Sequence, residues 1–190
     1  DAATKAYVDT LKPWSHWIGL GPHATHFIAT STGGNIAKTN ISISNAGDYD
    51  GYETYYNMTN SANRTVTFAF VVPSDLDTSE PITLKAYVSF NSTPGASKPV
   101  VLEGTARAIT DQESVRTGGA LATITAATHS LDSYSQYDLG ILSMGTLFAG
   151  DLVAVGDYVK GSVTRVADNA SDRFTGTIRM MGFLLEGTRG

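Results

Sequence analysis

Strict two-residue alternation of apolar and polar side chains is what most constrains the fold of this chain. In "TVTFAFVV", Val66, Phe68, Phe70 and Val72 fall on one face, and Thr65, Thr67 and Ala69 on the other. In "ITLKAYVSF", Ile82, Leu84, Ala86, Val88 and Phe90 alternate with Thr83, Lys85, Tyr87 and Ser89. Successive side chains of an extended strand point to opposite faces, so this pattern marks antiparallel strands with one face buried. Noisier versions occur in "HWIGL", "THFIAT", "TNISI", "YETYYNM", "VVLEGTARAI", "ALATITAAT", "YDLGILS", "DLVAVGDYVKGSVTRV" and "FTGTIRMMGFLLEG". Turn-forming clusters such as "STGG", "NAGDYDG", "PSDLDTSEP", "NSTPGAS" and "ADNASD" separate them. The expectation is an all-β antiparallel sandwich of about ten strands, and the long, irregular connections favour a jelly-roll or Greek-key winding over an up-and-down barrel. The last two strands read as a hairpin around "DNASD", which would bring Arg165 toward Asp172.

Only the first segment breaks the pattern. "DAATKAYVDT" reads as a short helix, with Asp1 as N-cap and a stop at Pro13. The domain reading is therefore a helical stalk or linker over 1–13 and a β-sandwich head over 14–190. A helix shorter than ~12–15 residues is marginal in water. Tyr7, Val8 and Leu11 must therefore pack against the domain or against copies of themselves.

A chain of 190 residues can build a core without staples, and it has no cysteine, which excludes disulfides and thiolate chemistry. The longest apolar run, "FAFVV", is far too short to cross a bilayer, so no membrane insertion is expected. The first residues lack a secretory leader, and a start at Asp1 reads as a fragment or processed product. Net charge is −5, and charged residues make up 16% against a usual ~25%. Lysine and arginine are scattered singly, which argues against nucleic acid as a partner. A surface rich in Ser, Thr, Asn and Gly fits an extracellular or virion exterior.

Few residues assemble into recognisable chemistry. His23 and His26 stand three apart in "GPHATH" with His16 nearby, but no further ligands at metal-binding spacing are legible, and no metal or cofactor is expected. Asp48, Asp50 and Gly51 superficially fit an EF-hand loop, which fails at Ala46 and Asn57. Nucleophile-elbow, dinucleotide and P-loop motifs are absent, and carboxylate pairs such as Asp48 with Glu53 or Asp151 with Asp157 carry no signature, so no enzyme is expected. "DYDGYETYYNMTN" is more distinctive. Tyr49, Tyr52, Tyr55 and Tyr56 lie among Asp, Asn and Thr, and such rings can stack on sugar C–H faces or pack at interfaces. Asn40, Asn57, Asn63 and Asn169 are candidate glycosylation acceptors, and Asn91 is a weaker one because Pro94 follows its sequon.

"AATKAYVD" resembles the linker element of bacteriophage tail-fibre and other fibrous virion proteins, where it lies near a trimeric shaft ahead of a globular head. The region "LFAGDLVAVGDYVKGSVTRVADNASDRFTGTIRMMGFLLE" resembles the end of jelly-roll domains in phage appendages. The matching positions are Ala149, Gly150 and Asp151, then Arg165, then Asp168 to Asp172, and a final strand over Phe174 to Glu186. The resemblance implies a homotrimer held in part by Tyr7, Val8 and Leu11, joined to other virion proteins through its N-terminal segment. It also implies a head that attaches to a host-surface receptor, for which a glycan fits the tyrosine cluster. A capsid decoration or head-fibre protein, and a cellular surface filament or adhesin subunit, are the alternatives. A polysaccharide-degrading enzyme is a further class.

Overall fold

The computed structural model describes residues 13–19, 38–43 and 51–190; the expected helix, with Tyr7, Val8 and Leu11, lies outside them. Ten strands are described: β1 (Pro13–Gly19), β2 (Lys38–Ile43), β3 (Gly51–Met58), β4 (Arg64–Val71), β5 (Ile82–Phe90), β6 (Val100–Ile109), β7 (Ala120–His129), β8 (Gly140–Phe148), β9 (Tyr158–Arg165) and β10 (Ile178–Thr188). All strand pairings are antiparallel. No helix occurs among the described residues.

The strands form two sheets. The larger runs β2-β3-β10-β5-β8, with β1 also paired to β10, and the smaller runs β4-β9-β6-β7. From β3 to β10 the chain passes repeatedly from one sheet to the other, giving four strands in each in jelly-roll order. One consequence contradicts the hairpin expected around "DNASD": β9 belongs to the smaller sheet and β10 to the larger, so the connection crosses the sandwich. The expected approach of Arg165 to Asp172 does occur. Nη2 lies 2.7 Å from Oδ1 and Nε 2.9 Å from Oδ2, with both side chains fully buried.

Alternation decides which residues fill the space between the sheets. All five inward positions of β5, from Ile82 to Phe90, are buried, as are Val66, Phe68, Phe70 and Val72 in and just after β4. Phe68 meets Phe183 across the core at 5.1 Å, and Phe90 meets the edge of Phe174 at 6.0 Å. The apolar run "IRMMGFLLEG" has a local cause for its broken period. A register shift between Met180 and Gly182 inserts an extra residue, so Ile178 and Met180 face inward before it, and Phe183 and Leu185 after it. The long strand expected from Asp151 starts only at Tyr158. The preceding residues make a turn in which the buried Asp157 accepts a hydrogen bond from the backbone N of Ala154 at 2.9 Å.

Candidate functional site

The outer face of the larger sheet carries an aromatic band that no single sequence segment contains. Trp14 and Trp17 both lie on β1, but alternation and register send them to opposite sides. Trp14 is buried, and its indole N–H donates to Asp75 at 3.1 Å. Trp17 faces outward with 48% of its surface exposed. Its ring lies over the backbone of Gly182, where an added Cβ would come within 2.5 Å of the indole. Without a side chain there, the indole reaches Tyr87 on β5 and packs edge-on against it at 4.8 Å and 86°. Edge-to-face pairs contribute ~0.5–1.5 kcal/mol beyond burial, which biases the exposed ring toward this orientation. Lys85 and Glu186 flank this pair with an ion pair at 2.8 Å whose side chains are about one-third exposed.

Three positions further back along β10, the same face carries Arg179. Its guanidinium lies 5.0 Å from the Tyr55 ring and 5.2 Å from the Tyr137 ring. Arg179 pairs with Asn57 on one side and Ser89 on the other, which places Tyr55 diagonally across the strand pair. Tyr137 comes from the β7–β8 connection. Its backbone N donates to the carbonyl of Phe90 at 3.0 Å, and its φ is +70°, a conformation uncommon for a residue with a Cβ. The connection is pinned as well by Gln136, whose amide donates to the carbonyl of Asn91 at 2.7 Å. Nε and Nη1 of Arg179 are enclosed and have no hydrogen-bond partner, so its charge rests on the two ring faces.

The tyrosine cluster read from the sequence is thus divided. Tyr55 is buried beneath Arg179 on the outer face, and Tyr56 packs partly buried against the core, where burial raises its pKa. Tyr52 lies on β3, with only its backbone described, and Tyr49 falls outside the described residues. Trp17, Tyr87, Tyr137 and Arg179 were not singled out in the sequence. The one available signal was the glycine in "MMGFLL", which marks a close approach but does not say of what.

The other candidates scatter. Asn63 and Asn91 use their side-chain carbonyls to accept backbone N–H groups, from Asp168 at 3.3 Å and Thr177 at 2.7 Å. Asn169 caps its own turn by accepting from the backbone N of Ser171 at 2.9 Å. Asn57 lies on β3 and Asn40 on β2, with only the backbone of the latter described. His16 is on β1, again with only its backbone described, while His23, His26 and Asp48 lie outside the described residues.

The fold and this face define an all-β sandwich domain with an exposed aromatic platform. No family model matches the chain, and no curated protein sequence matches it. Among solved structures the chain gives partial matches at low identity. The enzymatically active domain of tailspike protein 4 of bacteriophage CBA120 matches 86% of this chain at 10% identity and a TM-score of 0.43, and the chain spans 19% of that protein's length. The xylan-binding CBM22-1 domain of Xyn10C from Paenibacillus barcinonensis matches 93% of this chain and 95% of its own, at 10% identity and a TM-score of 0.45. TmCBM27, a mannan-recognising carbohydrate-binding module, matches 90% of this chain and 88% of its own, at 13% identity and a TM-score of 0.37.

Proposed function

We propose that this chain is a carbohydrate-binding adhesion head, and that the outer face of the larger sheet is where it meets the sugar. The observation that carries this reading is Trp17, a large aromatic ring half exposed and held in orientation by Tyr87 and by the bare backbone of Gly182. An apolar face presented to water in a fixed orientation is matched by the C–H face of a pyranose. Tyr137 offers a second exposed ring further along the sheet, over Arg179. We read the module as a binder; Glu186, the carboxylate beside Trp17, is ion-paired with Lys85 at 2.8 Å.

The wider setting is a homotrimeric virion fibre or spike attached through its N-terminal segment. The likeness of "AATKAYVD" and of the C-terminal region to phage appendages supports it. Three weak sites on one trimer would convert modest contacts into firm attachment.

Fluorescence titration on a glycan panel tests the site. Trp17 is exposed and Trp14 is buried, so a bound sugar should perturb the Trp17 emission and spare that of Trp14. Trp17→Ala should abolish the response and weaken binding at least tenfold. Unchanged binding of a neutral glycan in that variant would overturn this assignment. Native mass measurement at micromolar concentration tests the trimer, and Val8→Asp with Leu11→Asp should dissociate it while leaving the sandwich folded.

A further inference from the structure

The outer face of the smaller sheet holds a groove of about 390 Å³, on the opposite side of the sandwich from Trp17. Its side chains form rows set by strand register. Lys160 on β9 pairs directly with Arg107 on β6, and Arg107 pairs with Leu121 on β7. In the next row Thr67, Ser162 and Thr105 stand side by side, and Ser162 and Thr105 hydroxyls are 3.0 Å apart. At the other end Tyr158 presents a ring that is 42% exposed.

Two features of this groove leave polar or charged groups incompletely matched by the chain itself. Like charges placed directly opposite on neighbouring strands are destabilising, yet neither Arg107 nor Lys160 has a carboxylate partner among the described residues. Both are held by backbone carbonyls of the β6–β7 connection: Arg107 Nη1 donates to Thr117, Gly118 and Gly119 at 3.0–3.1 Å, and Lys160 donates to Val115. These contacts orient the two cations without neutralising them, in a chain whose net charge is −5. The second feature is Thr67 Oγ1, a hydroxyl enclosed in the groove with no hydrogen-bond partner. An enclosed polar group left unpaired costs stability until something supplies its partner.

We infer that this groove is a second binding site, for a carboxylated saccharide. The carboxylate bridges Arg107 and Lys160, sugar hydroxyls exchange hydrogen bonds with Thr67, Thr105 and Ser162, and a ring face lies against Tyr158. One row of cations beside one row of hydroxyls, bounded by an aromatic ring, matches the order of groups on a uronic acid. An acidic peptide would satisfy the cations and leave the hydroxyl row with little to bind.

Titration calorimetry with the full chain tests this, using oligogalacturonate, the neutral galactose oligomer and oligoglutamate as probes. The expected result is binding of oligogalacturonate at least tenfold tighter than either of the others, weakening as salt is raised. Lys160→Gln should reduce that affinity at least fivefold. Thr67→Val, which removes only the unpartnered hydroxyl, should reduce it at least threefold without lowering the melting temperature. Trp17→Ala should leave it unchanged, which separates this site from the platform on the other sheet. Equal affinity for the neutral oligomer, equal affinity for oligoglutamate, or indifference to both groove substitutions would each overturn the proposal.

Discussion

Replacing Arg165 with methionine tests what closes the sandwich. Arg165 lies at the end of β9 and is completely buried. Its guanidinium donates to both carboxylate oxygens of Asp172 at 2.7 and 2.9 Å, to the carbonyl of Met58 at 2.9 Å, and to that of Gly176 at 2.8 Å. It also donates to the carbonyl of Phe174 and lies 5.7 Å from that ring. Asp172 in turn accepts from the backbone N of Val101 at 3.1 Å. One side chain therefore joins the end of β3, the start of β6 and the β9–β10 connection that crosses between sheets. Methionine would fill much of the space of the arginine stem, but it would strand the Asp172 carboxylate and strip three carbonyls of a donor. Breaking a buried pair by removing one partner costs about 3–5 kcal/mol. At about 2–4 °C per kcal/mol for a chain of this size, Arg165→Met should lower the melting temperature by roughly 6–20 °C. Thermal and urea unfolding followed by circular dichroism would measure it. Adding Asp172→Leu should recover only part of the loss, because the carbonyls of Met58, Phe174 and Gly176 still lose the guanidinium as a donor. If Arg165→Met melts within 2 °C of the parent, the network does not hold the crossing connection and the reasoning fails.

Three further outcomes are expected. Gly161→Ala would put a Cβ within 2.4–2.9 Å of the Phe68 ring, and overpacking of this kind should cost about 1–3 kcal/mol in urea unfolding. Gly182→Ala would push on the Trp17 indole from 2.5 Å and crowd the Ile18 carbonyl at 3.0 Å; the exposed ring can swing away but the backbone cannot, so near-ultraviolet circular dichroism should change and stability should fall by about 0.5–3 kcal/mol. Burial lowers the pKa of His129, whose Nε2 is enclosed without a partner. The unfolded chain therefore binds a proton more readily than the folded one, and stability should decline as pH falls from about 6.5 through the lower folded value. His129→Gln should flatten that part of the stability–pH curve, and an unchanged slope would remove His129 as its cause.

What the sequence determined by itself was local. Side-chain alternation assigned strands and their buried faces correctly in β4 and β5, because the face a residue takes depends on backbone geometry and on the polarity of its immediate neighbours. Proximity of Arg165 to Asp172 was legible too, since only seven positions separate them. Even here the inferred reason was wrong, because the intervening segment passes between sheets instead of turning back as a hairpin. In β10 the bulge at Met181 shifts the period, and nothing in the local apolar run locates that shift.

Sheet membership and register were decided only by the tertiary structure. Trp17, Gly182 and Tyr87 come from three strands, as do Thr67, Ser162 and Thr105. Arg107 and Lys160 are unremarkable apart and meet as like charges only because β6 and β9 pair in one register. That register follows from how two sheets bury their inner faces together, a property of the packed sandwich that no short window of sequence contains.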